Sequence, residues 1–179
     1  MTWLEFPLVS GLMVFTRPEQ LVAARASVES FFAQDWPHKE LVVYNSTKCR
    51  FKSHWPSARR VREMNLRAIS LPRMEQLCLE NADGEWCLKW LPDCVYEPGY
   101  IGAHMAQRDK QRLTVMGRVQ ALALSTNELL TIAGLCAPSW CFYRHHTVDF
   151  AQELSSQFAS VEVLSVQASL VTKFACEVN

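Results

Sequence analysis

Positive charge is concentrated in one part of this sequence. Lys48, Arg50, Lys52, Arg59, Arg60, Arg62, Arg67 and Arg73 lie within 26 positions whose only acid is Glu63. Three chemistries suit such a stretch. Guanidinium groups can neutralise a leaving phosphate or diphosphate. They can also follow a nucleic-acid backbone, here with Phe51 and Trp55 at hand for stacking. Or the stretch is a solvated face with no ligand. Further along, Cys136, Cys141, His145 and His146 bring zinc-ligand types together, but their spacing matches no standard ligand pattern. They read as core cysteines beside an exposed histidine pair.

Enumeration excludes other chemistries. The six glycines (Gly11, Gly84, Gly99, Gly102, Gly117, Gly134) form no Walker loop, no dinucleotide G-x-G-x-x-G and no G-x-S-x-G elbow. The five histidines form no H-E-x-x-H. The seven cysteines include no C-x-x-C pair, which points to reduced thiols and a cytoplasmic setting. Met1-Thr2-Trp3-Leu4-Glu5 lacks the basic start and long apolar run of a signal peptide. No apolar run approaches the roughly 18 residues that cross a bilayer. With 18 basic and 18 acidic residues the formal charge is zero, so coating of nucleic acid by global charge is not expected. The 179 residues suffice for one domain with a real core.

These residues need elements to position them. Leu8–Phe15 reads as a strand buried on both faces. Arg17-Pro18-Glu19 opens a helix, with Pro in the first turn and an acid near the positive end of the dipole. Asp35-Trp36-Pro37 ends it, and Glu40–Tyr44 is a second buried strand. Strand, helix and parallel strand make a βαβ unit, which places ligands beyond the carboxyl ends of its strands. Arg62–Leu66 is expected as a third strand, Leu71-Pro72 as a turn and Met74–Ala82 as a short helix. Trp86–Trp90 is expected as a strand stopped by Pro92. In the second half, the spacing predicts a helix over Tyr100–Gln107 and a hairpin of Arg112–Gly117 with Val119–Leu124. A strand over Ser139–Arg144, a helix over Phe150–Phe158 and a last strand over Val161–Val166 follow.

The order of pieces resembles the family 2 glycosyltransferases of the GT-A fold. Pro7-Leu8-Val9-Ser10-Gly11-Leu12-Met13-Val14-Phe15-Thr16-Arg17-Pro18 looks like that family's first strand and turn, P-x-V-S-I/V-I-x-P-T-Y-N-R-P. Gln34-Asp35-Trp36-Pro37-His38-Lys39-Glu40-Leu41-Val42-Val43 looks like its Q-x-Y-P-x-x-E-I/L-I/V-V. Asn81-Ala82-Asp83-Gly84-Glu85-Trp86 is similar to A-x-G-E-Y, and Tyr96-Glu97-Pro98-Gly99-Tyr100 to Y-x-P-x-x-L. Between them, Trp90-Leu91-Pro92-Asp93-Cys94 stands where many members carry W-D-D-D-D. The resemblance covers residues 7 to 110 well and the remainder weakly.

The resemblance implies an α/β fold: a single GT-A-like domain over 1–179 whose mostly parallel central sheet is flanked by helices. Residues 1–95 would be its nucleotide-sugar-binding half and 96–179 its acceptor-side half. It implies transfer of a sugar from a nucleotide-diphosphate-sugar donor to an acceptor hydroxyl, on a glycan or a modified DNA base. Thr16, Arg17, Asn45 and Arg73 would line the donor, and Asp93 would hold Mg²⁺ or Mn²⁺ against the diphosphate. Asp149, or else Glu153, would take the acceptor proton.

The sequence departs from the family pattern at three places. Asn45 replaces the acid after the second strand, Leu91 and Pro92 replace two metal acids, and Glu75-Gln76 stand where members often have Arg-Asn. Asp93 doubles as a turn acid after a proline and Asp149 as a helix N-cap. These departures leave open a non-catalytic relative that keeps the fold as a binding module. A third reading is a nucleic-acid-associated protein using the basic stretch alone.

Overall fold

Val9–Phe15 is buried along its whole length except at half-buried Val14, and forms strand β1. The computed structural model describes residues 6–49, 60–108, 114–115, 118–123, 128–133, 140–144 and 171–173. After β1, Pro18–Gln20 make a single 3-10 turn before α1 (Leu21–Phe32). Strand β2 (Lys39–Asn45) and strand β3 (Val61–Asn65) follow, then α2 (Leu71–Glu80) and β4 (Trp86–Lys89). Next come β5 (Cys94–Tyr96), α3 (Tyr100–Ala106), β6 (Thr114–Val115), β7 (Arg118–Ala123), β8 (Glu128–Ala133), β9 (Trp140–Tyr143) and β10 (Val171–Lys173).

One six-stranded sheet has the order β3-β2-β1-β4-β9-β6. Its first four strands are mutually parallel. The last two pairings, β4 with β9 and β9 with β6, are antiparallel. The fold is therefore α/β with a mostly parallel central sheet, as the sequence leads one to expect. The register Phe15↔Asn45↔Asn65 puts the carboxyl ends of β1, β2 and β3 in one line.

The period-two alternation of β1 divides the core. Val9 and Met13 pack with Val28 and Phe31 of α1 and with Trp90. Leu12 packs on the other face with Val42, Tyr44, Cys87 and with Met74 and Cys78 of α2. Phe31 and Trp90 meet edge to face at 4.9 Å, a geometry that adds about 1 kcal/mol beyond their area. Gly11 permits this approach, because a Cβ there would lie 2.6 Å from Phe31 Cε2.

Several expectations need correction. Leu71-Pro72 is the first turn of α2 rather than a separate turn, since proline fits where no N–H has an intrahelical partner. Among the described residues, the expected hairpin of Arg112–Gly117 with Val119–Leu124 is not found. Thr114–Val115 joins the main sheet against β9, while Arg118–Ala123 pairs with Glu128–Ala133. The short strands β5 and β10, which pair antiparallel, were not anticipated. The expected elements over Phe150–Phe158 and Val161–Val166 lie outside the described residues. Among the described residues, no helix is long and apolar enough to cross a membrane.

Candidate functional site

The carboxyl ends of the parallel strands converge on one edge of the sheet, and a cavity of about 120 Å³ opens there. Its walls are Leu12 and Val14 of β1, Leu71 and Glu75 of α2, and Lys89, Trp90 and Leu91 at the end of β4. Five of these seven side chains are apolar, and the two polar ones form an ion pair. Lys89 Nζ lies 2.6 Å from Glu75 Oε1, with the two side chains only 23% and 20% exposed. Strand alternation explains the encounter. Cys87 faces the α2 cluster, so Lys89, two residues on, faces α2 as well.

The backbone beneath the pair is held rigidly. Trp90 N–H donates to Leu12 O at 2.9 Å, and Trp90 Nε1 donates to Ser27 O at 3.1 Å. Ser27 Oγ donates to Leu91 O at 2.7 Å. Leu91 N–H donates to the Tyr96 hydroxyl at 3.0 Å. Burial keeps the Tyr96 phenol neutral, raising its pKa well above the ordinary value. Segment 89–91 is thus tied to β1, to α1 and to β5.

Asn45 ends β2 and is fully buried. Its Oδ1 accepts from Thr47 N–H (2.9 Å) and Thr47 Oγ1 (2.8 Å). Its Nδ2 donates to Cys49 O (2.6 Å) and to Glu63 Oε1 (2.8 Å). Both donors and both lone pairs are used, so the amide organises the turn after β2. The other positions inferred from the resemblance are placed as follows. Thr16 and Arg17 are exposed just beyond β1. Arg73 is exposed on α2 and pairs with Glu80 at 2.8 Å. Asp93 is half-buried in the β4–β5 turn, where its Oδ1 lies 3.7 Å from Cys94 Sγ. Asp149 and Glu153 lie outside the described residues, as do Cys136, His145 and His146.

The described part of the basic stretch is solvent-facing. Lys48, Arg60, Arg62, Arg67 and Arg73 are exposed, and Arg62 pairs with Asp83 at 2.6 Å. Trp36 belongs to the core. It is buried against Phe6, with Nε1 donating to Pro7 O.

A divalent ion needs several hard oxygen ligands. Leu91 and Pro92 bring none, Asp93 brings one carboxylate, and Glu75 is already held by Lys89. Among the described residues no three His, Cys, Asp or Glu side chains gather as a metal site. The described residues therefore do not fit a resident divalent cation.

Among solved structures, the chain is similar to S. aureus TarS 1–349 in complex with UDP-GlcNAc, with TM-score 0.70 and 13% identity. The match covers 94% of this chain and 59% of that one. This chain has the GT-A glycosyltransferase fold. S. aureus TarS as a longer chain also matches, at TM-score 0.67 and 11% identity over 93% of this chain and 36% of that one. A mannosyltransferase from Pyrobaculum calidifontis, in complex with GDP-Man and Mn²⁺, matches at TM-score 0.50 and 14% identity. That match covers 68% of this chain and 37% of that one. The chain thus spans about three-fifths of the TarS 1–349 fragment and little more than a third of the longer TarS chain. No protein-family profile and no curated protein sequence matches it.

Within the GT-A fold, the resemblance motifs hold the frame together. Gln34 is buried and donates from Nε2 to Glu97 O at 2.7 Å, while its Oε1 accepts from Ile101 N–H at 3.0 Å. Sequence reading missed the Glu75–Lys89 pair. Its signal was a lone charge closing the apolar run Trp86-Cys87-Leu88.

Proposed function

We propose that this chain is a glycosyltransferase that takes a sugar from a nucleotide-diphosphate-sugar donor and passes it to an acceptor hydroxyl. The observation that carries this reading is the cavity at the carboxyl edge of a parallel sheet, in the fold shared with a TarS fragment that holds UDP-GlcNAc. Ligands of open α/β sheets bind at that edge. Residues 1–95 form the donor half in this reading and 96–179 the acceptor half.

Thr16 and Arg17 meet the donor from the end of β1. Asn45 shapes the turn beside it, and Arg73 reaches it from the exposed face of α2. Departure of a nucleoside diphosphate requires positive charge beside the leaving oxygens. Asp149, with Glu153 as the second choice, accepts the proton of the attacking hydroxyl, on a glycan or a modified DNA base. Asp93 is the carboxylate best placed in sequence to meet Mg²⁺ or Mn²⁺ arriving with a donor diphosphate.

A second reading is a GT-A relative that binds without transferring. The saturated amide of Asn45 favours it, because no hydrogen-bonding capacity is left there for a nucleoside. The deciding experiment incubates the chain with UDP-GlcNAc or GDP-mannose and measures both binding and release of UDP or GDP. Binding with slow donor hydrolysis, abolished in Asp149→Asn, supports the transferase. Binding with no release under any condition supports the second reading, and so does the absence of nucleotide binding, which removes the transferase.

A further inference from the structure

We propose that the Lys89 ammonium supplies the positive charge against the donor diphosphate, so that nucleotide binding does not depend on a divalent cation. The inference rests on the nucleotide-sugar reading given above. Lys89 is the last residue of β4 and lies opposite Leu12, three residues before the end of β1, where it lines the cavity together with Leu12 and Val14. The turn that follows offers one carboxylate, Asp93, flanked by Leu91, Pro92 and Cys94. A diphosphate in this cavity meets a cation attached to the protein before it meets any cluster of oxygen ligands.

The placement of Lys89 suits the task. Its side chain is three-quarters withdrawn from water, where a charge interacts more strongly with a phosphate than at the surface. The backbone from 89 to 91 is fixed by hydrogen bonds to Leu12, Ser27 and Tyr96, so the ammonium is positioned in advance. Glu75 Oε1 holds Nζ at 2.6 Å, and both residues line the cavity. An ammonium carries three N–H donors and can therefore hold a carboxylate and a phosphate oxygen together. Glu75 is also the competing anion. It lowers the net charge of the cavity and weakens retention of the product diphosphate.

The test is calorimetric titration of UDP, GDP and pyrophosphate into the full chain, in EDTA and again in Mn²⁺. The expected result is diphosphate binding in EDTA within about twofold of that in Mn²⁺. Lys89→Met should then weaken it about tenfold or more, the loss of one charge-assisted contact. Lys89→Arg, which keeps the charge, should restore most of the affinity, and Glu75→Gln should tighten binding several-fold. A purely structural ion pair predicts the opposite for Glu75→Gln: lower melting temperature and no gain in affinity. Diphosphate binding that appears only with Mn²⁺, or a folded Lys89→Met that binds like wild type, overturns the inference and leaves the donor reading standing. If none of the three probes binds in either condition, the donor reading falls and takes this inference with it.

Discussion

Gly84 donates its backbone N–H to Ser10 Oγ at 2.9 Å, and a methyl on its Cα would fall 2.4 Å from that same oxygen. Leu8 O and Ser10 N would each be 2.8 Å from the methyl, so backbone as well as side chain blocks it. Gly84→Ala is expected to cost about 3 kcal/mol, at the upper end of overpacking, and to lower the melting temperature by roughly 6–12 °C. Gly99→Ala is the control. A Cβ there meets nothing within 4 Å, and the change should cost no more than about 1 kcal/mol, the preference for Gly over Ala at the N-cap of α3. Equal melting temperatures for the two variants would contradict the close approach.

Glu40 completes that junction from β2. Its Oε1 accepts from Ser10 Oγ (2.6 Å), Asp83 N–H (2.6 Å) and Gly84 N–H (3.2 Å), and the side chain is buried. Glu40→Ala leaves several donors short of an acceptor and should cost about 2–4 kcal/mol. Glu40→Gln keeps an oxygen in place and should cost about half as much, since the bonds lose their charge assistance. Urea unfolding of both variants checks the ranking. A glutamine variant less stable than the alanine variant would show that the oxygen is not what matters.

These contacts explain why the frame could be read from the sequence and the site could not. Glu40, Gly84 and Gln34 each do a structural task that any chain of this topology needs, so their spacing announces the fold. The buried runs of β1 and β2 are legible for the same reason: continuous apolar stretches allow few alternatives. The second half has no such constraint. Its strands are short and pair antiparallel at the edge of the sheet or away from it, where periodicity does not say which neighbour wins. The Glu75–Lys89 pair joins a helix to a strand 14 positions later, a contact that exists only once α2 has packed over β1 with β4 paired beside it. Asn45 was legible as a position but not in its bonding, which depends on Glu63 arriving from β3.

Asn45→Asp examines that bonding directly. The substitution would turn a donor that now serves Cys49 O and Glu63 Oε1 into a carboxylate facing a carbonyl and another carboxylate. About 2–4 kcal/mol of destabilisation is expected at neutral pH. Burial and the neighbouring carboxylate raise the folded pKa of the introduced carboxyl above its unfolded value, so the fold favours its protonated form. The gap between wild type and variant is therefore widest above the folded pKa and should narrow as pH falls toward 4. Thermal melts across that range measure it, and a gap independent of pH would rule out the ionic explanation.

His104, in the last turn of α3, is fully buried, and among the described residues neither ring nitrogen has a hydrogen-bond partner. Its ring lies edge to face on Tyr100 at 4.8 Å. The end of a helix favours a cation, but desolvation is the larger effect and lowers the pKa from 6.5 to about 3. The folded chain therefore holds the neutral ring while the unfolded chain takes up a proton below pH 6.5. Between those two values the unfolded state binds more protons, so stability falls as pH falls, by up to about 1.4 kcal/mol per unit. His104→Phe keeps the aromatic contact and removes both unpartnered nitrogens. It should be at least as stable as wild type at pH 7.5, with an advantage that grows steadily from pH 6.5 down to pH 4. Urea unfolding of the two chains at half-unit intervals of pH reads this directly, and parallel stability curves would mean that the ring is reached by water or by a proton acceptor in the folded chain.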